Sequence, residues 1–313
     1  MVFLNPYIYK MISVELKGGL GNQLFQIMAT IAHSIRSNTP FVFSESKFKD
    51  EGPNRPTYWK TLFRHLEPYL NTHNNIDAKD IRAYTPIYEN DRKFDPIQVS
   101  SENSLLKGYY QNYHYFDDVY AQALEITGID KVRKEVISNH VSPTNCIRIS
   151  MHFRQGDYRP IQCYHPIMRE YYYIHAMLHI LNELKHDTET PIDVVCFYEE
   201  SDKHDVETII YEVRDILNAA GYSNIKYVMD GHKGLSDWVQ LLVMSSCDHH
   251  IIANSTFSWW SAYLNPSETK IVCYPDKWVG HQLSYIYTAG LYVPNWHRIL
   301  AFSPKTVKNC NCR

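Results

Sequence analysis

The chain has 313 residues, which at about 100–200 residues per domain predicts two domains. Hydrophobic residues make up 44% and charged residues 21%, so a large core is available and wholesale disorder is excluded. The net charge of −3 excludes a general cationic surface for nucleic acid, and no apolar run approaches the roughly 18 residues of a membrane span.

Cysteine usage favours a reducing compartment. The seven cysteines are odd in number and irregularly spaced, without a CxxC pair, so neither a disulfide framework nor a zinc ribbon is predicted. The first residues lack the basic region and cleavage site of a secretory signal. A soluble cytoplasmic protein is therefore expected. The 25 tyrosines and 16 histidines leave sugar stacking, metal ligation or simple packing open, although no HExxH or other zinc spacing occurs.

The first half opens with a strand, a glycine turn and a helix. Residues 12–16 alternate apolar and polar side chains, and glycines at 18, 19 and 21 end this strand. Asn22 is expected to cap the helix that follows, whose apolar stripe runs over residues 24–35. A short strand at 41–43 completes an opening that is typical of a parallel α/β sheet.

The middle of the chain is less regular. Residues 45–115 predict irregular structure with a helix near 58–70. A helical pattern over 117–140 then runs into Ser142-Pro143, the best candidate for a linker between domains.

Beyond the linker, strands and helices alternate, which predicts a doubly wound parallel sheet. The predicted strands are 147–153, 193–197, 225–228, 249–253 and 270–273. The predicted helices are 168–184, 206–217, 235–244 and 255–264.

The first segment that carries chemistry is GGLGNQLFQ, residues 18–26. A dinucleotide fingerprint needs a third glycine where Leu24 stands, so NAD and FAD are disfavoured. What remains is a turn that presents helix N–H groups to a ligand, with the Asn22 amide at its tip. An ordinary tight turn between a strand and a helix fits this segment almost as well.

The second segment is HFRQGDY, residues 152–158, directly after a predicted strand. Ligands of open α/β sheets bind beyond the carboxyl ends of strands, where this segment lies. The guanidinium of Arg154 forks well onto phosphate oxygens, and Asp157 is spaced to orient it or to bind a ligand hydroxyl. A structural Arg–Asp pair is an equally compatible interpretation.

The third segment is ANSTFSWWSAYLN, residues 253–265. Asn254, Ser255 and Thr256 place small polar side chains where a helix begins, which favours a diphosphate site. Trp259 and Trp260 are expected in the core. The same three polar residues form a glycosylation sequon, which would need a secreted chain with an exposed loop.

These three segments resemble the signature segments of the family 11 glycosyltransferases, the α-1,2-fucosyltransferases. GYYQNYHYF (108–116) and CFYEESD (196–202) are similar to two weaker segments of that family. The likeness runs in the expected order from residue 11 to about residue 278. It implies an N-terminal extension over 1–10, an acceptor-side α/β domain over 11–142 and a GDP-sugar-binding Rossmann-like domain over 143–313.

The resemblance implies a fold and a reaction. The fold is α/β and GT-B-like, with two Rossmann-like, doubly wound domains that face a cleft. The reaction is an inverting transfer of L-fucose from GDP-β-L-fucose to the 2-hydroxyl of a galactoside, with neither a cofactor nor a divalent metal. The expected partners are GDP-fucose and a galactose-containing glycan, without nucleic acid or a transmembrane segment.

The resemblance also implies roles for residues at the matching positions. Arg154 would hold the β-phosphate of GDP, and Asn22 would face the reacting centre from the first domain. The implied catalytic residues are Arg154, Asp157 and Asn22. The implied donor-binding residues are His152, Arg154, Glu199, Glu200, Asn254, Ser255 and Thr256, of which the two glutamates would read guanine or ribose. Gly19, Gly21 and Gln23 are expected to form a phosphate loop or line the cleft.

The chain departs from the family pattern at two places. Gln155 stands where a second arginine is common, so one cation is missing, and Arg159 or His165 is a candidate substitute. Glu199 and Glu200 replace two aspartates, which bears on donor specificity.

Three alternatives stay open on the sequence. A metal-dependent GT-A transferase would use a DxD-type site, which Glu200-x-Asp202 loosely imitates. A noncatalytic carbohydrate-binding protein would use the tyrosine cluster for stacking. Another GDP-sugar or another linkage is possible within the family. The general base is unassigned among Asp157, Glu199 and the histidines. The tyrosines of this cluster are Tyr109, Tyr110, Tyr113 and Tyr115.

Overall fold

The computed structural model describes residues 10–46, 56–185, 190–229 and 233–303. The chain forms two compact units: the first runs to Glu135 and takes in Tyr287–Leu291, and the second begins at Val136 and holds the rest. One helix, Ile129–His140, continues from the first unit into the second. The division between the two units therefore lies inside this helix, before Ser142-Pro143, the linker that the sequence predicts.

A small parallel sheet forms the centre of the first unit. Its three strands lie in the order β1-β3-β2, and both pairs are parallel. Parallel bridges from Ile12 to Phe41 and from Phe43 to Leu70 widen it. The strands are β1 (Ile12–Val14), β2 (Thr85–Tyr88) and β3 (Ser104–Lys107). The helices are α1 (Leu20–Ser37), α2 (Ala78–Arg82), α3 (Tyr120–Thr127) and α4 (Ile129–His140).

Several elements of this unit differ from the sequence prediction. The strands β2 and β3 lie in the stretch expected to be irregular, and the helix expected near 58–70 is a 3-10 helix over Arg64–Tyr69. Gly128 splits the helix expected over 117–140. Its φ is +64°, and a Cβ there would lie 2.5 Å from the His65 ring, so glycine is required.

The second unit contains a six-stranded, all-parallel sheet in the order β6-β5-β4-β7-β8-β9. Its strands are β4 (Ile147–His152), β5 (Ile192–Phe197), β6 (Ile225–Val228), β7 (His249–Ile251), β8 (Val272–Pro275) and β9 (His297–Ile299). Its helices are α5 (Glu170–Glu183), α6 (Lys203–Ala219), α7 (Asp237–Met244) and α8 (Thr256–Leu264).

The strand order reverses between β4 and β7. Strands β4, β5 and β6 run to one side of that point and β7, β8 and β9 to the other, which is the Rossmann-type order. The predicted α/β class and the doubly wound second sheet are confirmed, and β9 is an addition. That the two domains face a cleft stays a prediction. Trp259 and Trp260 are fully buried in α8, as expected.

The structure bears on two expectations drawn from composition, which concern membrane spans and cysteines. None of the helices in the described part of the chain combines the length and the apolar character that a membrane crossing requires. Cys146, Cys196, Cys247 and Cys273 are free thiols, but Cys163 is disulfide-bonded. The sequence does not predict this bond, because spacing along the chain does not reveal which cysteines meet in space.

Candidate functional site

Three sequence-predicted segments come together at the carboxyl ends of neighbouring strands. Arg154 follows β4, Glu199 follows β5, and the N-terminus of α8 follows β7. Because β4 and β7 flank the point where strand order reverses, a crevice for ligands is expected outside these strand ends. We call this part of the second unit the switch-point site.

Arg154 is the central cation of the switch-point site. Its Nη1 donates to Oε1 of Glu199 at 2.6 Å and its Nη2 to Oδ2 of Asp157 at 2.5 Å. Burial lowers the pKa of Arg154, but Asp157, Tyr158 and Glu199 outweigh burial and raise it. The Arg154 side chain is 22% exposed, whereas those of Asp157 and Glu199 are about half exposed, at 45% and 50%. A charged guanidinium is therefore fixed in direction by two carboxylates.

Tyr158 and His165 form a stacked pair beside this cation. Their ring centroids lie 4.8 Å apart, and the Arg154 guanidinium carbon lies 5.5 Å from the Tyr158 ring centroid. Burial raises the pKa of Tyr158 to about 12. Burial, together with the Arg154 charge, lowers the pKa of His165. A lowered pKa does not favour His165 as the substitute cation.

Arg159, the other candidate substitute, is engaged elsewhere. Its Nη2 donates to Asp202 Oδ1 and to Asp205 Oδ2, at 2.8 Å in each case. The Asp202 Oδ2 accepts from the N–H of Gly156 at 2.9 Å. Both oxygens of Asp202 are therefore occupied, whereas Glu200 is exposed. Glu200 and Asp202 do not stand as a DxD-like pair, and no group of three His, Cys, Asp or Glu among the described residues could hold a metal ion.

The segment after β7 is fixed from within the second unit. The Nδ2 of Asn254 donates to the carbonyls of Pro166 at 3.0 Å and Trp278 at 3.1 Å, and its backbone carbonyl accepts from the Tyr158 hydroxyl at 3.2 Å. Asn254 is only 2% exposed, so the sequon offers no accessible asparagine in the folded chain. Ser255 is the N-cap of α8 with no side-chain capping bond, and Thr256 is the first residue of the helix.

Two buried amide atoms stand out at the switch-point site. The Nε2 of Gln155 and the Oδ1 of Asn254 have no hydrogen-bond partner within the described residues. Gln155 is 3% exposed. Buried polar atoms are nearly always satisfied in folded proteins, so these two amides are exceptions in the segments that follow β4 and β7. His152, at the end of β4, is also buried, with its ring centroid 5.5 Å from that of Phe257.

The glycine loop, residues 17–19, follows β1 in the first unit. Gly18 has a φ of +75°, and a Cβ on it would lie 2.5 Å from the Nδ2 of Asn22. Gly19, not Asn22, is the N-cap of α1, so the capping prediction is wrong: the helix begins at Leu20, before the apolar stripe. Gly21 is therefore buried inside α1 and does not belong to the turn. The Asn22 Oδ1 accepts from Gln111 Nε2 at 2.9 Å.

Buried amides hold the glycine loop in place. The Gln23 Nε2 donates to the carbonyls of Gly18 at 3.1 Å and Pro56 at 2.9 Å. Gln26 accepts from the N–H of Lys17 at 3.1 Å and donates to the carbonyl of Gly108 at 3.0 Å. Gln23 and Gln26 are both fully buried. Gln23 is consequently a support of the loop, and Gln26, within the same motif, links it to the segment after β3.

The segment after β3 presents an aromatic side chain on a fixed backbone. Glu89 Oε2 accepts from the N–H groups of Tyr109 and Tyr110, both at 2.7 Å. Tyr110 is buried with a φ of +53°, a conformation that few non-glycine residues adopt. Tyr109 is 40% exposed, and Lys17 Nζ lies 4.4 Å from its ring centroid. A platform of aromatic and polar groups thus lies at the carboxyl ends of β1 and β3.

Asp202, Glu89 and Gln26 are the supporting residues that sequence reasoning missed. Asp202 was considered only as half of a DxD-like pair, and Gln26 lies inside a motif segment beside an apolar run. Glu89 lies in a stretch without periodicity, so no sequence signal points to it.

Comparison with known proteins gives the family. The sequence model described as glycosyl transferase family 11 matches residues 69–299. An alpha-1,2-colitosyltransferase of Escherichia coli is 26% identical over 282 residues, covering 84% of this chain and 91% of that protein. The O-antigen biosynthesis glycosyltransferase WbnK of Escherichia coli is 25% identical over 304 residues, covering 84% and 93%.

Solved structures with a similar chain trace include two glycosyltransferases. A mutant of Arabidopsis thaliana FUT1 in complex with GDP has a TM-score of 0.45 at 11% identity, covering 84% of this chain and 70% of that one. The E. coli ADP-heptose heptosyltransferase II has a TM-score of 0.43 at 10% identity, covering 93% and 90%. Because the family model spans well over half of the sequence, the chain belongs to glycosyl transferase family 11.

Proposed function

We propose that this glycosyltransferase moves L-fucose from GDP-β-L-fucose to the 2-hydroxyl of a galactoside, with inversion, and so forms an α-1,2 linkage. One observation carries the donor part of the proposal: Arg154 and the N-terminus of α8 flank the point where strand order reverses. Open α/β sheets bind their ligands outside that point.

The switch-point site has the groups that a diphosphate needs. Arg154 supplies a charged fork, and the N-terminus of α8, which begins at Thr256, lies at the positive end of the helix dipole. We assign the sugar nucleotide to this site.

The transfer chemistry calls for such a site. The fucosyl group departs with oxocarbenium-like character while negative charge grows on the β-phosphate of GDP. Arg154, already aimed by Asp157 and Glu199, stabilises that charge without reorganising as the bond breaks. We propose that no divalent metal takes part, and activity in the presence of EDTA tests this.

The remaining donor contacts are assigned by position. His152 ends β4, and Glu199 and Glu200 follow β5, the strand beside it, so we propose that these side chains surround the nucleoside part of GDP. Because Glu199 also binds Arg154, it links the nucleoside end of the pocket to the diphosphate end. Asp157 lies on the other branch of the same guanidinium.

We assign acceptor recognition to the first unit. Asn22 lies in the first turn of α1, and the exposed Tyr109 lies on the segment after β3. Gln26 bonds both Lys17, in the loop before α1, and Gly108, in the segment after β3. An aromatic face next to amide and ammonium groups suits a neutral sugar, which stacks on the ring and offers hydroxyls to the polar neighbours. Gly19, the N-cap of α1, leaves this surface open, because a Cβ on it would meet nothing within 4 Å.

The direct experiment is incubation of the protein with GDP-fucose and a panel of β-galactosides, with and without EDTA. Linkage analysis of the product identifies the hydroxyl that was used. The expected product carries α-1,2-linked fucose on galactose, in equal yield with EDTA. Transfer to another hydroxyl, or no transfer from GDP-fucose, contradicts the proposal, and a loss with EDTA contradicts its metal-independent form.

A second candidate is transfer of colitose, and the name of the 26% identical relative favours it. Colitose is fucose without the 3-hydroxyl group. A site built to bind that hydroxyl rejects the deoxy sugar strongly, because buried polar groups would lose their partner. Parallel kcat/KM measurements with GDP-fucose and GDP-colitose decide between the two donors.

A further inference from the structure

We propose that Asp202 is a positioning residue for the phosphate-binding arginine. Its buried carboxylate ties the turn after β4 to the segment after β5, and this tie holds Arg154 in the direction that receives the diphosphate. The role of Arg154 rests on the proposed function above, whereas the tie itself rests on contacts within the second unit.

The contacts of Asp202 reach both segments. Its Oδ2 accepts from the N–H of Gly156 at 2.9 Å, and its own N–H donates to the carbonyl of Glu199 at 2.7 Å. Its Oδ1 accepts from Arg159 Nη2 at 2.8 Å. Asp202 is 1% exposed, so these bonds are made by a carboxylate out of reach of water. A buried charge of this kind is tolerated only with such partners.

The turn at Gly156 packs directly against this carboxylate. A Cβ on Gly156 would lie 3.3 Å from Glu199 Oε2 and 3.4 Å from Asp202 Oδ2, so the backbone approaches both acids closely. Arg154 precedes that glycine by two positions and bonds the same Glu199 at 2.6 Å. The bond between Arg154 and Glu199 and the bond between Gly156 and Asp202 therefore join the same two segments. Loss of one shifts the geometry of the other.

Arg159 completes the tie from the solvent side. Its side chain is 45% exposed and bonds two aspartates through one nitrogen, Nη2. Oδ1 of Asp202 and Oδ2 of Asp205 both accept from that nitrogen at 2.8 Å. The Asp205 side chain is 51% exposed, whereas that of Asp202 is 1% exposed. The turn residue Gly156 donates to Asp202. Asp205→Asn is therefore a matched control for Asp202→Asn, with the same substitution and the same partner but a solvated site.

The first test is steady-state kinetics of Asp202→Asn and Asp205→Asn in the intact chain with GDP-fucose. In Asp202→Asn an amide N–H₂ replaces one acceptor oxygen and faces a donor, so the turn moves. A displacement of about 1 Å at a reacting group can cost on the order of 100-fold, and we expect kcat/KM for the donor to fall about 10- to 100-fold. For the solvated Asp205→Asn we expect a change below about threefold. Equal effects of the two variants overturn the proposal.

A double-mutant cycle distinguishes positioning from simple stabilisation. Arg154→Lys keeps the positive charge but loses the planar fork. If Asp202 acts by aiming that fork, Asp202→Asn costs far less in the Arg154→Lys background than in the wild type. If the two losses multiply instead, Asp202 acts independently of Arg154 and the proposal fails. Should Asp202→Asn not fold, Arg159→Gln removes one of the bonds to Asp202 and leaves that from Gly156. We then expect kcat/KM to fall further than in Asp205→Asn, and an equal effect overturns the proposal.

Hydrogen exchange separates this proposal from the proposed function. Deuterium uptake of the 154–159 turn is measured without any nucleotide in the wild type, Asp202→Asn and Asp205→Asn. We expect faster uptake in Asp202→Asn alone. If the wild type transfers no fucose but this result holds, the proposed function fails and the tie stands. Equal deuterium uptake in all three proteins would show that Asp202 does not hold the turn, whichever substrate the enzyme uses.

Discussion

The two regions that follow strand ends in this protein are held by different kinds of bond. The glycine loop of the first unit is held by neutral amides: Gln23 and Gln26 bond backbone groups of Lys17, Gly18 and Gly108. The switch-point site of the second unit is held by ion pairs. These join Arg154 to Asp157 and Glu199, and Arg159 to Asp202 and Asp205.

The difference matches the ligand assigned to each region. Neutral amides order a surface without adding charge, which suits an acceptor sugar recognised through hydroxyls and stacking. Ion pairs hold cations in a fixed direction, which suits a diphosphate that gains charge as the fucosyl bond breaks. Each prediction that follows perturbs one region and leaves the other intact.

The largest effect is expected at the switch-point site. Arg154→Ala removes a preorganised donor, and the loss of one such donor costs about 10²–10³ in rate. The fold should persist, because the side chain is partly exposed and lies at the rim of the sheet. The measurement is kcat/KM together with far-ultraviolet circular dichroism. Arg214→Ala is the control: it removes an exposed cation from α6, and normal activity is expected there. Near-normal turnover by folded Arg154→Ala would contradict the assignment of Arg154 to the diphosphate.

The next effect is expected at the glycine loop and concerns stability. Gln26→Leu leaves the N–H of Lys17 and the carbonyl of Gly108 without their amide partner. An unsatisfied buried polar group costs about 1–3 kcal/mol, and the free energy of unfolding should fall by about that amount. Urea denaturation measures it. Gln122→Leu, at an exposed position of α3, should be neutral. Equal stability of the two variants would show that the amide does not hold the loop.

The carboxylate of Glu89 gives the first unit a pH dependence of its own. Burial raises the pKa of Glu89, although the Tyr109 and Tyr110 N–H groups oppose the rise. When a carboxyl has a higher pKa in the folded chain than in the unfolded chain, the folded state binds its proton more tightly. The protein then loses stability as the pH rises from the unfolded pKa through the folded pKa. Glu89→Gln should flatten this part of the stability profile above about pH 4.5. Superimposable profiles of wild type and variant would contradict the assignment.

The smallest effect is expected from salt. Screening weakens interactions between partly exposed charges, so GDP binding should weaken several-fold between about 0.05 and 0.5 M NaCl. Binding of a neutral galactoside should change little. Equal salt dependence of the two ligands, measured by isothermal titration, would remove the distinction between the two regions.

The second unit was largely predictable from the sequence because its elements are strongly patterned. Strands such as Ile192–Phe197, with the apolar run VVCF, alternate with amphipathic helices, and both were expected in the right order. The strand His297–Ile299 was missed because three residues with a charged centre carry no period. In the first unit, Thr85–Tyr88 is an exposed edge strand with a proline, which hides it from strand patterns.

The site was predictable in its residue types but not in its pairings. The family resemblance implied that the segments at 152–158, 196–202 and 253–265 contribute to one donor pocket. The bonds from Arg159 to Asp202 and from Arg154 to Glu199 join positions more than forty residues apart, and only the register of β4 with β5 brings them together. Arg159 was one of two candidates to replace the cation missing at Gln155, whereas its Nη2 bonds two aspartates.

The most direct test of the account is a calorimetric titration of GDP and of guanosine into the wild type and Arg154→Ala. If the diphosphate lies at the switch-point site, the wild type binds GDP more tightly than guanosine, and Arg154→Ala loses most of that difference while its guanosine affinity is retained. An Arg154→Ala protein that still prefers GDP to guanosine as strongly as the wild type would contradict the account.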